Sequence, residues 1–296
     1  MLKFRLKSVS RRLLLVLAGQ SMALALSLAP AFPLDSGWAE TEGGRMRLVV
    51  DPVPRDDDMI AGFLDIELAP GWKTYWRDPG SAGIPPTLDF SENKGVAFLA
   101  MDYPAPVRVD DGYAIWAGYT APVRFPLTFQ RTASGDAQIH ARAFIGICEK
   151  ICVPFQADLV VDLPADPASA TSTEQNPTRQ AVDAAFSRLP ESAGPDFSLE
   201  TVLLDREGMH LTISAKLPAF RPSGVDPELF VAGPDGFAFA PPKLTRDEGG
   251  QAEWTVRVDP PSGMAEDSDA LPLDIVVTLG QRAIEQSVSV DPAAKN

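Results

Sequence analysis

The chain has 296 residues, of which 45% are hydrophobic, so it is long and apolar enough to bury a core without covalent cross-links. Acidic residues outnumber basic ones by 40 to 26, and the formal net charge of −14 argues against nucleic acid and anionic lipid as partners. With only two cysteines and two histidines, and no second cysteine pair, a four-ligand zinc site is a weak interpretation. We expect neither a metal nor a cofactor.

Residues 1–39 have the order of a secretory signal peptide. Basic residues come first and the apolar run 13–28 follows. Small residues favour cleavage after Ala39, and Ala29-Pro30-Ala31 is a second candidate. Arg11-Arg12 also resembles a twin-arginine signal, and an uncleaved membrane anchor is the alternative. Export would place the chain in an oxidising periplasm, where disulfides form and persist.

Residues 40–163 carry the pattern of an antiparallel β domain. Alternating or β-branched runs at 46–53, 59–68 and 123–130 predict strands, and Pro and Gly separate them. Short strands at this spacing indicate an immunoglobulin-like sandwich. The Cys…Trp…Cys pattern of the immunoglobulin inter-sheet disulfide is missing, so the cysteine pair is not that disulfide.

The only cysteines, Cys148 and Cys152, lie within the apolar stretch A-F-I-G-I-C-E-K-I-C-V-P at 143–154. Predicted strands at 138–147 and 153–163 place both cysteines beside the turn of a β-hairpin. Cross-strand residues lie about 4.5–5.5 Å apart, which a disulfide can span. Closing a loop of about five residues stabilises a fold by only roughly 2 kcal/mol, so redox chemistry is favoured over a structural staple, with a metal site as a further alternative.

Two further segments and the hairpin turn carry candidate residues. Residues 71–80 hold three aromatic side chains within five positions, which is typical of a sandwich core. Residues 109–116 form a polar turn that leads into aromatics, and they are either an ordinary loop or a shield for the thiols. In the hairpin turn, Lys150 would favour a thiolate and Glu149 would oppose it, unless both charges are simply solvated.

A linker and a second β domain complete the chain. The linker, residues 164–194, begins with a stretch rich in Pro, Ala, Ser and Thr, and Asn176-Pro177 predicts the start of a short helix that ends near Leu189. Residues 195–292 contain about seven predicted strands, which indicate a second sandwich with a structural or partner-binding role. The predicted strands are 198–204, 209–217, 228–231, 236–244, 252–258, 273–279 and 283–290.

Three motifs resemble one known family. They are W-K-T-Y-W-R-D-P-G-S-A-G-I-P-P at 72–86, Y-P-A-P at 103–106 and I-G-I-C-E-K-I-C-V-P at 145–154. In this order they are similar to the amino-terminal domain of the thiol–disulfide interchange protein DsbD. The branch that looks most similar includes stand-alone periplasmic proteins and relatives linked to suppression of copper sensitivity. The resemblance is specific over about 45–163 and general beyond 195, where some relatives carry a second β domain.

The resemblance implies an immunoglobulin-like sandwich whose hairpin carries the catalytic pair, Cys148 and Cys152. It implies electrons that arrive from a membrane-embedded donor protein and leave, by thiol–disulfide exchange, to periplasmic thioredoxin-like or disulfide isomerase proteins. Cys152 would form the mixed disulfide and Cys148 would resolve it. A cap loop covers the pair in the family, and residues 110–116 occupy its place here. The residues expected around the pair are Tyr75, Asp110, Asp111 and Tyr113.

The chain departs from the family pattern in three respects. Its cysteines are closer together than in the best-known members, and Gly112, followed by Tyr113, falls near the family's cap phenylalanine. The transmembrane and thioredoxin-like domains of full-length DsbD are missing, so the electron donor is expected to be a separate protein. Two alternatives stay open: a non-enzymatic binding module with a structural hairpin disulfide, and a copper-handling protein, which scattered methionines weaken.

Overall fold

The computed structural model describes residues 34–80, 82–165, 176–205, 209–221, 223–261 and 270–290. The apolar run of the predicted signal peptide lies outside these residues. Among the helices that the structure describes, none has the length and apolar character needed to span a membrane. All described residues belong to one compact unit.

Strands dominate the described chain, which contains twenty of them and a single α-helix. A 3-10 turn at Asp56–Asp58 precedes the third strand. The helix α1 spans Pro177–Phe186. The strands are β1 (Ala39–Thr41), β2 (Gly44–Asp51), β3 (Met59–Leu68), β4 (Lys73–Tyr75), β5 (Thr87–Asp89), β6 (Val96–Met101), β7 (Val107–Asp110), β8 (Ile115–Tyr119), β9 (Val123–Arg131), β10 (Ala137–Cys148), β11 (Cys152–Leu163), β12 (Glu191–Ser192), β13 (Ser198–Asp205), β14 (His210–Lys216), β15 (Glu228–Ala232), β16 (Ala238–Phe239), β17 (Lys243–Glu248), β18 (Gln251–Asp259), β19 (Leu271–Leu279) and β20 (Arg282–Val290).

Strands β1–β11 form the first antiparallel sandwich. One sheet has the order β1-β2-β3-β9-β6, and the other has the order β11-β10-β4-β8-β7 with β5 paired to β10. Alternate residues point into the core, so Met46, Leu48 and Val50 of β2 are fully buried. The three long strands expected at 46–53, 59–68 and 123–130 are confirmed within two residues at each end.

Strands β12–β20 form the second sandwich, so the predicted class of two immunoglobulin-like β-sandwiches and a short helix is confirmed. Its sheets have the orders β12-β20-β19-β15 and β13-β14-β18-β16, with β17 paired to β18. The predicted strand 236–244 is divided into β16 and β17. Pro241 and Pro242 lie between the two pieces, and proline has no N–H to donate to a sheet.

The helix α1 packs on the first sandwich. Asn176 is its N-cap, and its side-chain oxygen accepts a hydrogen bond from the backbone N–H of Thr178 at 2.9 Å, as the sequence pattern predicts. Val182 and Ala185 are buried in a small cluster with Val49, Ala61 and Phe63 of β2 and β3. The helix ends at Phe186, three residues before the predicted end at Leu189.

The residues just before β1 are bound to the first sandwich. The backbone N–H of Val50 donates to Leu34 O, and that of Ser36 donates to Leu48 O, each at 2.9 Å. The Asp35 carboxylate lies 2.9 Å from the Arg47 guanidinium. The same guanidinium lies 4.3 Å from the ring centroid of Trp38. This short stretch therefore forms part of the folded domain.

Candidate functional site

The two cysteines end and begin the strands of one hairpin, β10–β11. Cys148 is the last residue of β10 and Cys152 the first of β11, and the two are direct cross-strand partners. A disulfide joins them, with 4.1 Å between their Cα atoms. Both strands extend one residue beyond their predicted turn-side ends. The predicted hairpin and its bridge across the turn are therefore present.

The two sulfurs are unequally accessible. Cys148 is 1% exposed and belongs to a small buried cluster with Tyr75 and Trp116. Cys152 is exposed, and Ile151 before it is 78% exposed. An incoming thiolate can therefore reach Cys152, whereas Cys148 is covered. Glu149 and Lys150, the charged residues of the turn, are both exposed to solvent. This agrees with the alternative in which both charges are simply solvated.

Tyr75 contacts both sulfurs. Its hydroxyl lies 3.0 Å from Cys148 Sγ and 3.1 Å from Cys152 Sγ. Its ring meets that of Trp116 edge-on, with centroids 5.8 Å apart. Burial, with a smaller contribution from Asp111, raises the pKa of the Tyr75 hydroxyl. The hydroxyl is therefore protonated at neutral pH and can donate a hydrogen bond to a thiolate.

Glycines on both neighbouring strands let β4 bring Tyr75 to this position. A Cβ at Gly146 of β10 would lie 2.6 Å from Cβ of Ile84 and 3.2 Å from the Tyr75 ring. A Cβ at Gly118 of β8 would lie 2.2 Å from the carbonyl oxygen of Thr74. The Thr74 hydroxyl donates to the Gly146 carbonyl at 2.9 Å, which fixes β4 against β10.

The cap loop, residues 110–116, is held in place by Asp111. One carboxylate oxygen accepts hydrogen bonds from the backbone N–H groups of Tyr113 and Ala114, each at 3.1 Å. The other accepts from Lys73 Nζ at 2.6 Å and from Trp116 Nε1 at 3.1 Å. The Lys73 hydrogen bond is the main cause that holds the pKa of Asp111 well below its usual range. The carboxylate is thus ionised throughout the neutral range.

The other expected surrounding residues take different positions. Asp110 accepts from the backbone N–H of Gly112 at 2.9 Å, and Gly112 has a φ of +82°, which favours glycine. Tyr113 is fully exposed at the tip of the turn, so its ring does not cover the disulfide. The ring beside Cys148 within the cap loop is that of Trp116.

Sequence reasoning did not single out Lys73 and Trp116. Lys73 Nζ lies 4.5 Å from the centroid of the Trp116 ring, and both groups contact Asp111. The alternation of side chains along a strand could have indicated Lys73, because Lys73 and Tyr75 are two residues apart and share one face of β4. Among the described residues, no group of three or more His, Cys, Asp or Glu is placed to hold a metal ion.

Comparisons with known proteins match each half of the chain. Residues 48–164 match the family of the thiol:disulfide interchange protein DsbD, N-terminal. Residues 188–293 match a domain family of unknown function, DUF8393. No curated protein matches the chain in sequence.

Solved structures also match the chain. The N-terminal periplasmic domain of ScsB from Proteus mirabilis aligns with a TM-score of 0.66 over 88% of this chain and 100% of its own, at 22% identity. A conserved domain protein from Bacillus anthracis aligns over 88% of this chain and 90% of its own, but with 10% identity and a TM-score of only 0.23. The likeness to the ScsB domain extends over both sandwiches and concerns the fold.

Proposed function

We propose, from the match of residues 48–164 to the DsbD amino-terminal family, that the chain is a periplasmic thiol–disulfide oxidoreductase. It passes electrons from a membrane-embedded donor protein to periplasmic thioredoxin-like or disulfide isomerase proteins. Cys148 and Cys152 carry the electrons, and no cofactor takes part. The proposal rests mainly on one observation: a disulfide joins a buried and an exposed cysteine, with one tyrosine hydroxyl beside both sulfurs.

The exchange is balanced in electrons and protons. In the reduced pair, the Cys152 thiolate attacks a disulfide of the partner, whose S–S bond breaks as the mixed disulfide forms. Cys148 then loses its proton and attacks Cys152 Sγ, which releases the second partner sulfur. The pair is oxidised by two electrons, and the partner gains these electrons and two protons as a dithiol. A dithiol donor restores the reduced pair by the reverse sequence.

The surrounding residues support these roles. Tyr75 can donate a hydrogen bond to whichever sulfur is a thiolate, because its hydroxyl lies within 3.1 Å of both. Lys73 forms an ion pair with Asp111. Its ammonium group therefore binds the cap loop and not a thiolate. The exposed turn lets Cys152 bond outward, while the short loop keeps Cys148 close to it.

Two independent indications support the proposed location. The order of basic, apolar and small residues within 1–39 is that of an export signal. The similar ScsB structure is described as a periplasmic domain. An oxidising compartment would then allow the bridge to form when no donor reduces it.

Trapping of the mixed disulfide tests the proposal. Cys148→Ala should accumulate a covalent adduct with a thioredoxin-like partner, because no thiol remains to resolve it, whereas Cys152→Ala should not. Alkylated extracts from cells that express each variant are compared by non-reducing electrophoresis and mass spectrometry. Both variants should lose only about 2 kcal/mol of stability, since the bridge closes a short loop.

If the Cys148–Cys152 bridge has only a structural role, the trapping experiment should give the opposite result. Neither variant would trap a partner, and reduction would unfold the first sandwich. The reduction potential is a second measurement, since structural bridges lie below about −300 mV and exchangeable ones lie higher.

A further inference from the structure

A short piece of chain, which we call the bridging segment (residues 73–77), contacts both the disulfide and the second sandwich. Tyr75 contacts both sulfurs, and Lys73 contacts the cap loop, as described above. The next two residues, Trp76 and Arg77, contact side chains of β15, β19 and β20. Because the peptide bond between Tyr75 and Trp76 is rigid and planar, a shift of the backbone at Trp76 also shifts the backbone at Tyr75.

The apolar contact is made by Trp76. It is 1% exposed, and its ring meets that of Phe230 edge-on with centroids 6.0 Å apart. Phe230 is also 1% exposed and belongs, with Ala232 and Val276, to the same buried cluster as the core of the first sandwich. The two sandwiches therefore share a continuous packed core at this point, and such cores transmit strain.

The polar contact is made by Arg77. Its guanidinium lies 2.9 Å from Asp274 of β19 and 2.7 Å from Glu285 of β20. The Arg77 side chain is only 20% exposed, and its Cζ lies 4.7 Å from the ring centroid of Tyr103. A partly buried cation between two carboxylates holds this part of the chain more firmly than an exposed pair would.

We infer that the second sandwich positions Tyr75 through Trp76 and Arg77, and thereby sets the redox equilibrium of the Cys148–Cys152 pair. The inference rests on the proposed function and gives the second domain a part in it. Trp76 and Arg77 are positioning residues, because neither touches a sulfur in the contacts described above.

The physical link is the tyrosine hydroxyl. A hydrogen bond to an ionised acceptor is about twice as strong as one between neutral groups, so the Tyr75 hydroxyl favours a thiolate over a disulfide sulfur. Firm positioning of Tyr75 therefore stabilises the reduced pair. If Trp76 and Arg77 lose their contacts with the second domain, Tyr75 should be held less firmly. The disulfide should then be favoured, and the pKa of the Cys152 thiol should rise.

The interface variants and their control change residues of the second sandwich only. The double variant Asp274→Asn/Glu285→Gln removes both charges that hold Arg77, and Phe230→Leu removes the ring contact with Trp76. The control is Asp247→Asn, which breaks the ion pair with Arg221 within the second sandwich. Each full-length protein is equilibrated with glutathione, in which two glutathione molecules reduce the bridge and form one glutathione disulfide.

We expect the equilibrium constant for reduction to fall threefold or more in both interface variants, with a higher thiol pKa, and to be unchanged in Asp247→Asn. In a Tyr75→Phe background the interface substitutions should have no further effect, because the group that links them to the sulfurs is absent. Circular dichroism confirms that each variant is folded. If Phe230→Leu does not fold, the charge variant decides.

Two results would overturn the inference. One is a wild-type equilibrium constant in folded interface variants, which leaves the proposed function standing because the wild-type pair still exchanges. The other is an effect of equal size with and without Tyr75. If the wild-type pair does not exchange with glutathione at all, the proposed function fails, and the inference fails with it.

Discussion

At the scale of single residues, the Asp111 carboxylate organises the cap loop. Two backbone N–H groups and two side chains donate to it, and one of those side chains belongs to β4, beside Cys148. The loop is therefore tied to the strand that carries Tyr75. Opening it away from Cys148 would require the Lys73–Asp111 ion pair to break.

Asp111→Asn should speed the opening of the cap loop. The amide keeps an oxygen for the backbone N–H groups but loses the charge that binds Lys73, so alkylation of the covered Cys148 thiol, in a Cys152→Ala background, should become severalfold faster. The matched control is Asp110→Asn in the same background, whose amide oxygen can still accept from Gly112. The rates are compared by mass spectrometry of samples alkylated for increasing times. Equal acceleration in both variants would mean that the ion pair does not hold the loop.

The pH dependence of this ion pair follows from the lowered pKa of Asp111. The folded loop favours the ionised carboxylate, so its stabilisation is complete above the ordinary carboxyl pKa of about 4 and is lost only as pH falls through the lower folded value. Between about pH 5 and 8 the ratio of the alkylation rates with and without Asp111→Asn should therefore be constant.

At the scale of elements, the segment before β1 bears on where the signal peptide is cut. A cut after Ala39 would remove Leu34, Asp35 and Trp38, and with them the backbone hydrogen bonds to β2 and the contacts with Arg47. These contacts favour the second candidate, after Ala31. We expect amino-terminal sequencing of the exported protein to begin at Phe32. A first residue of Glu40 would show that the folded domain does without this segment.

The hairpin was predictable from sequence, whereas its surroundings were not. Long alternating runs and a turn between two cysteines are local patterns, and they fixed β10, β11 and the bridge to within one residue. β4 is only three residues long, and its pairing joins Thr74 to Ile147 across more than seventy positions. No local pattern encodes that pairing. The contact of Tyr75 with the sulfurs was expected only from the family resemblance.

At the scale of the whole molecule, the sandwiches are connected by more than the linker 164–194. The helix α1 lies after the linker's opening stretch, yet its buried face packs on the first sandwich through Val182 and Ala185. Phe230 and Val276 of the second sandwich share a buried cluster with the first. The sequence predicted two domains from composition and strand spacing, and it held no signal for this shared packing.

Limited proteolysis should cut within the opening stretch of the linker, at residues 164–175, where Pro, Ala, Ser and Thr are concentrated. We expect the two pieces to stay associated, because α1 and the Trp76–Phe230 contact cross the cut. Size-exclusion chromatography of the nicked protein measures this directly. Elution of two separate folded pieces would show instead that the sandwiches are independent.

The hairpin also determines what oxidation and reduction do to the shape of the molecule. Residues 137–148 pair in unbroken register with 152–163, so backbone hydrogen bonds, rather than the S–S bond, keep Cys148 opposite Cys152. The backbone can thus remain still while the electrons move. In the proposed exchange, little of the driving force is therefore spent on rearranging the backbone.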